Sequence, residues 1–186
     1  MDSTQAVSIP SRTKYSIVGK TKVVFDEDRE EFYKLEVLTG TNYETPYVSA
    51  NSDIASKVSG LKTGDVIRYV NKMSGEIGNI QKIDSMYAYK DVYGESLDGK
   101  IFGLVEDVEL NRLDDFLNEK VDKVTLSYGG VSKQIKLLRE DGPSIYSYNK
   151  SSGEISVAEP DEITPGLELF LYTVENTVKI CVIFIP

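Results

Sequence analysis

Two acidic runs hold the residue types best suited to a metal ion. DEDREE (Asp26–Glu31) and LDDFLNE (Leu113–Glu119) gather side-chain oxygens, the hard donors that suit calcium. Asp26, Asp28, Asp114 and Asp115 are the candidate ligands. Neither run has the spacing of an EF-hand loop, and the first lacks the glycine such a loop needs for its sharp turn. The plainer reading is two solvated loops, the sharper one a weak calcium contact. No other cofactor is expected. A third run, EPDE (Glu159–Glu162), is similar, and Pro160 with Pro165 makes it a stiff connector.

Other chemistry lacks its parts. The chain has no His, which removes the commonest general base, the Ser-His-Asp and Cys-His arrangements and the usual zinc ligand. SGLKTGD (Ser59–Asp65) lacks phosphate-loop spacing and leads into a strand pattern, so it reads as a β-turn. No pair of carboxylates stands out for glycoside hydrolysis, and there is no Trp to stack on a sugar. Cys181 is alone in an apolar run and reads as a packing residue. An enzyme is not expected.

Tyrosine is abundant, with 12 in the chain, grouped at Tyr87, Tyr89 and Tyr93 and again at Tyr146 and Tyr148. On alternating strand positions such a stripe is half-buried packing. Exposed together, the five would form an interaction surface, because Tyr is enriched where proteins meet.

The elements that must position these residues are mostly strands. YSIVGKTKVVF (Tyr15–Phe25) and EFYKLEVLTG (Glu31–Gly40) are joined by the first acidic run. NSDIASKVSGL suggests a short helix with Ser52 as N-cap and Gly60 as terminator. GDVIRYV and EIGNIQKI follow as a hairpin. The second half repeats this order, with NRLDDFLNEK as a helical turn or loop and a hairpin closed by Gly129-Gly130.

One half overlays the other. Ser16 falls on Gly103 with a shift of 87, Lys34 on Lys123 with a shift of 89, and Leu61 on Ile163 with a shift of 102. The growth of 13 between the last two is about one hairpin, and the second half has one extra, IYSYNKSSGEISVA. The expected fold is mainly β: two tandem small antiparallel β-barrel-like domains of SH3 or OB size, with one or two short helices. The expected boundaries are an N-terminal extension at 1–13, a first domain at 14–85, a linker at 86–99 and a second domain at 100–186, with the extra hairpin at about 144–158. The near-identical strings NKMSGEI (Asn71–Ile77) and NKSSGEI (Asn149–Ile155) fall at non-equivalent places in this overlay. They are one hairpin turn used twice, not a ligand signature.

The net charge is −9 and lopsided: 11 Lys/Arg against 12 Asp/Glu up to Ser85, and 10 against 18 from Met86 on. An acidic surface repels phosphate backbones, so nucleic acid is not an expected partner. No apolar run reaches the roughly 20 residues of a transmembrane helix, and the first residues lack the order of a signal peptide. The abrupt end after Ile185-Pro186 favours an excised segment. The expected location is extracellular or cell-surface for such a segment, and cytoplasmic or virion otherwise.

The order LKTGDVIRYVNKMSGEIGNI, followed by SIYSYN, ITPGLELFLYTVENTVKICVIFI, resembles the β-rich, non-anchoring parts of clostridial surface proteins that carry S-layer homology domains. Phage virion proteins have similar modules. The resemblance covers about two-thirds of the chain, rests on turn and strand residues, and names no site residues. It implies a non-catalytic structural or protein-interaction module of a bacterial surface, acting through a protein partner or self-assembly. The alternatives are a phage decoration or tail protein, and a small-ligand or polymer-binding β module with its site on the tyrosines.

Overall fold

A computed structural model describes residues 13–25, 28–39, 42–86 and 93–186. The described chain is mainly β, in two sheets with one short α-helix. It divides into two compact units, one of Met1–Val37 with Glu44–Asp84, the other of Leu38–Tyr43 with Ser85–Pro186.

The first sheet contains β1 (Lys14–Phe25), β2 (Glu31–Thr39), β3 (Asn42–Glu44), β4 (Tyr47–Ser49), β5 (Asp65–Asn71) and β6 (Ile77–Ser85). Its order is β3-β2-β1-β5-β6, with β4 also paired to β2. Period-2 alternation sends Leu35 and Val37 of β2 and Val48 of β4 into one apolar cluster with Val18, Ile67 and Tyr69. Each such fully buried aliphatic side chain contributes about 1.5–3 kcal/mol. The helix α1 (Ala55–Ser59) follows β4 and adds Ala55 and Val58 to that cluster. Across the sheet edge, a parallel bridge joins Tyr47 to Glu76. There the Ser49 amide donates to Glu76 Oε1 at 3.2 Å.

The second sheet contains β7 (Gly94–Glu95), β8 (Lys100–Asp114), β9 (Glu119–Tyr128), β10 (Val131–Leu138), β11 (Ser144–Asn149), β12 (Ile155–Val157), β13 (Glu168–Val174) and β14 (Thr177–Ile185). Its order is β10-β9-β8-β13-β14-β11-β12, with β7 on β8. Strands β13 and β14 are buried on both faces. Leu169, Leu171, Cys181 and Ile183 enter one cluster. Phe170, Val182 and Phe184, at the alternate positions, are buried as well.

The ladders give the two sheets a common register. Ser16 opposes Ile67 in the first and Gly103 opposes Leu169 in the second, the same pair after shifts of 87 and 102. Tyr33 opposes Val48, and Asp122 opposes Leu137, the same pair after a shift of 89. Thus β1, β2, β4 and β5 stand where β8, β9, β10 and β13 stand. The difference lies after the third of these strands. The first unit has α1 there, whereas the second has the β11–β12 hairpin and a 3-10 turn (Pro160–Glu162). β11 lies parallel against β14 and leaves β10 with β9 as its strand neighbour.

Two local expectations are corrected. The helix begins at Ala55 with Ile54 at its N-cap and no side-chain cap. Ser52 instead uses its hydroxyl to accept the Ile54 amide at 3.4 Å in the preceding turn. Of the helical turn or loop expected at NRLDDFLNEK, a turn at Asp115–Asn118 is present and strand takes the rest: β8 continues to Asp114 and β9 starts at Glu119. Its Asn111, at φ 57, forms a bulge that lets the long strand continue. The twin strings do close hairpins, β5–β6 and β11–β12, with Gly75 and Gly153 at φ 90 and 73.

Candidate functional site

In the first unit Phe32, Lys34 and Glu36 alternate with the buried side of β2 and therefore face outward. Lys34 lies directly opposite Tyr47 of β4. The Phe32 and Tyr47 rings meet edge to face at 6.0 Å and 73°. Tyr47 is fixed from the far side by its hydroxyl, which donates to the Ser74 carbonyl at 3.2 Å. That bond ties it to the β5–β6 turn, where Lys72 approaches Glu76 at 3.9 Å. All three side chains are partly exposed. The result is two aromatic faces beside a cation, a surface on which planar groups stack and a phosphate is met by charge. Sequence reading passed over this face, because Phe32 and Tyr47 look like ordinary strand residues until the β2–β4 register places them side by side.

The carboxylates named from the sequence fall in different settings. Asp26 lies outside the described residues, and Asp28 and Asp115 are exposed. Asp114 is 4% exposed. One of its oxygens accepts the Phe116 and Leu117 amides at 3.1 and 2.9 Å, and the other meets Lys136 Nζ at 2.6 Å. Lys136 first, then the Leu117 amide, hold its carboxyl below the usual carboxylate range. Asp114 thus pins the β8–β9 turn. Among the described residues no group of three or more His, Cys, Asp or Glu is arranged to hold a metal.

Tyr87 and Tyr89 lie outside the described residues. Tyr93 is exposed, whereas Tyr146 and Tyr148 of β11 are buried. Aromatic contacts run from Tyr93 to Phe102, to Phe184 and on to Tyr148 at 5.1, 5.5 and 5.6 Å. These three described tyrosines therefore do not line one open concave surface. Cys181 is fully buried, and burial pushes its thiol pKa up.

An exposed carboxylate bonded to a buried tyrosine gives a pH prediction. The Tyr128 hydroxyl donates to Glu95 Oε2 at 2.7 Å, and Lys133 Nζ lies 3.1 Å from Oε1. The tyrosine bond first, then Lys133, lower the Glu95 pKa. Burial, then Glu95, raise Tyr128 to about 12. A carboxyl with a depressed folded pKa stabilises the fold above its unfolded pKa and loses that contribution as pH falls through the folded one. Thermal midpoints measured from neutral pH downward should fall more steeply below the unfolded carboxylate range in the parent than in Glu95→Gln. Parallel curves would sink the assignment.

No protein-family model and no curated protein matches the chain. Among solved structures it is similar to the tetrameric p202 HIN2 (10% identity, 94% of this chain and 88% of that one, TM-score 0.29). It is similar also to a murine DNA binding protein bound with double-stranded DNA (10% identity, 94% and 90%, TM-score 0.29). A third is the Ifi202 HINa domain in complex with 20 bp double-stranded DNA (14% identity, 95% and 92%, TM-score 0.27). The surface-layer, cell-surface and virion readings and the alternative small-ligand module on the tyrosines find no family or curated match and are not kept. The exclusion of nucleic acid in favour of a protein partner or self-assembly is withdrawn as well, two of the similar structures being complexes with DNA. That exclusion let the acidic second half stand for the whole chain, although eight of the nine excess negative charges lie after Ser85 and the first half is close to neutral. At these TM-scores the likeness supplies no residue correspondence, and the candidate face rests on this chain's own strands. No helix of the described residues is long and apolar enough to cross a membrane.

Proposed function

We propose that the chain is a non-catalytic nucleic-acid-binding protein of two barrel-like OB-type units, the first of which holds a single strand on the outer face of β2 and β4. The strand plan supports the OB reading. Five strands, β1, β2, β4, β5 and β6, carry a helix between the third and fourth, and a parallel bridge joins Tyr47 of the third to Glu76, the residue before the last. In that fold the second and third strands and their flanking loops form the ligand face. The observation that carries the reading is the Phe32–Tyr47 aromatic pair with Lys34 opposite Tyr47. The half of the chain that holds it is close to neutral. The equivalent positions of the second unit hold Val121, Lys123 and Lys136, with Val121 buried and Lys136 paired to Asp114.

Base–aromatic stacking contributes about 1–3 kcal/mol per base, and each neutralised phosphate steepens the salt dependence by about 0.7 in a log–log plot. With one or two cations at the face, binding should be modest and its salt slope shallow, between about −0.7 and −1.4. Fluorescence anisotropy with a labelled oligothymidine checks this. Phe32→Ala should weaken binding by about 5- to 100-fold, and Lys34→Ala should flatten the salt slope. Lys123→Ala, at the equivalent position of the second unit, should leave both unchanged. If Phe32→Ala and Lys34→Ala bind as the parent does, or the parent does not bind, the reading fails.

A further inference from the structure

The second unit contains a cleft of about 630 Å³. It lies where β11–β12 replaces the helix, between the end of β10, the start of β11 and the 3-10 turn. Its volume falls within the roughly 300–1,000 Å³ of small-molecule sites. Leu137, Ile145 and Ala158 give it an apolar wall.

Its polar part is built. Asp122 is 1% exposed and lines the cleft. The Arg139 Nε and Nη2 donate to Asp122 Oδ1 at 3.0 and 2.7 Å, and the Asn111 amide donates to the same oxygen at 2.8 Å. All three bonds fall on Oδ1, which leaves Oδ2 of a buried carboxylate for a further donor. Glu159 and Asp161 stand on the rim. Three carboxylates against the one guanidinium of Arg139 leave the cleft with a net negative charge, and the half of the chain around it is acidic too.

We propose that this cleft binds a small organic cation with a planar amidinium or guanidinium head and a short apolar body. One N–H of the head would donate to Asp122 Oδ2, a charge-assisted bond to the oxygen that Arg139 and Asn111 leave open. The rim acids attract it, and the body lies against Ile145 and Ala158. The site belongs to the second unit and stands or falls apart from the nucleic-acid face.

The test is a titration of the isotope-labelled full chain with benzamidinium, followed by amide NMR. Saturable shifts are expected at Arg139, Ile145 and Ala158, and benzoate should produce none there. Asp161→Asn, an exposed change that leaves the fold intact, should weaken binding several-fold. Arg139→Gln, which removes the competing cation, should tighten it several-fold if that variant folds. Absent shifts, equal response to benzoate, or unchanged affinity in Asp161→Asn would each overturn the proposal.

Discussion

Phe184→Ala is expected to lower the stability of the fold by about 3–5 kcal/mol, the range for removing a buried aromatic side chain. Phe184 is 2% exposed on β14. It takes edge-to-face contacts from Phe102 of β8 at 5.5 Å and from Tyr148 of β11 at 5.6 Å. Truncation leaves both rings facing a void and removes contacts from strands on either side of β14. Denaturant titration reads the effect as a shift of the midpoint at similar slope. Phe184→Leu, which keeps most of the volume, should lose less than half as much. Equal losses in the two variants would mean that ring volume at this position is not what holds the strands together.

Asp122→Ala should be the largest loss among polar substitutions, about 3 kcal/mol. Removing one partner of a buried ion pair costs more than the pair itself contributes. The low end of that range applies because Arg139 keeps 40% of its side chain exposed and can turn to water. The substitution also strands the Asn111 amide, whose left-handed residue forms the β8 bulge. Asp122→Asn retains an acceptor for that amide and should recover part of the loss. If Asp122→Ala unfolds at the same denaturant concentration as the parent, the carboxylate is not the support of the bulge.

Much of the strand plan was legible because strand patterning is local. Two shifts read from unaligned sequence, 87 and 102, reproduce the β1·β5 register as the β8·β13 register, Ser16–Ile67 becoming Gly103–Leu169. A shift of 89 carries Lys34–Tyr47 to Lys123–Lys136. The extra hairpin was visible for the same reason, as a strand–turn–strand string with no partner in the first half. Its consequence was not. Nothing in IYSYNKSSGEISVA says that β11 will run parallel to β14 and leave a cleft beside Asp122, because parallel pairing joins residues far apart in sequence. The candidate face was missed on similar grounds. Phe32 and Tyr47 become one surface through the β2–β4 ladder, whereas in the denser tyrosine clusters Tyr146 and Tyr148 are core. The acidic runs misled in the same way. Asp114 reads as an exposed ligand in sequence, yet it is consumed by two amides and Lys136.

The central claim is that a single-stranded nucleic acid lies across β2 and β4 of the first unit. The most direct measurement is amide and aromatic NMR of the isotope-labelled full chain, titrated with an unlabelled oligothymidine at low salt. The account predicts progressive, saturable shifts at Phe32, Lys34, Tyr47 and the β5–β6 turn, with the Phe32 and Tyr47 ring protons moving upfield as bases stack on them. Shifts confined to other strands, or none at those residues at millimolar oligonucleotide, would contradict it.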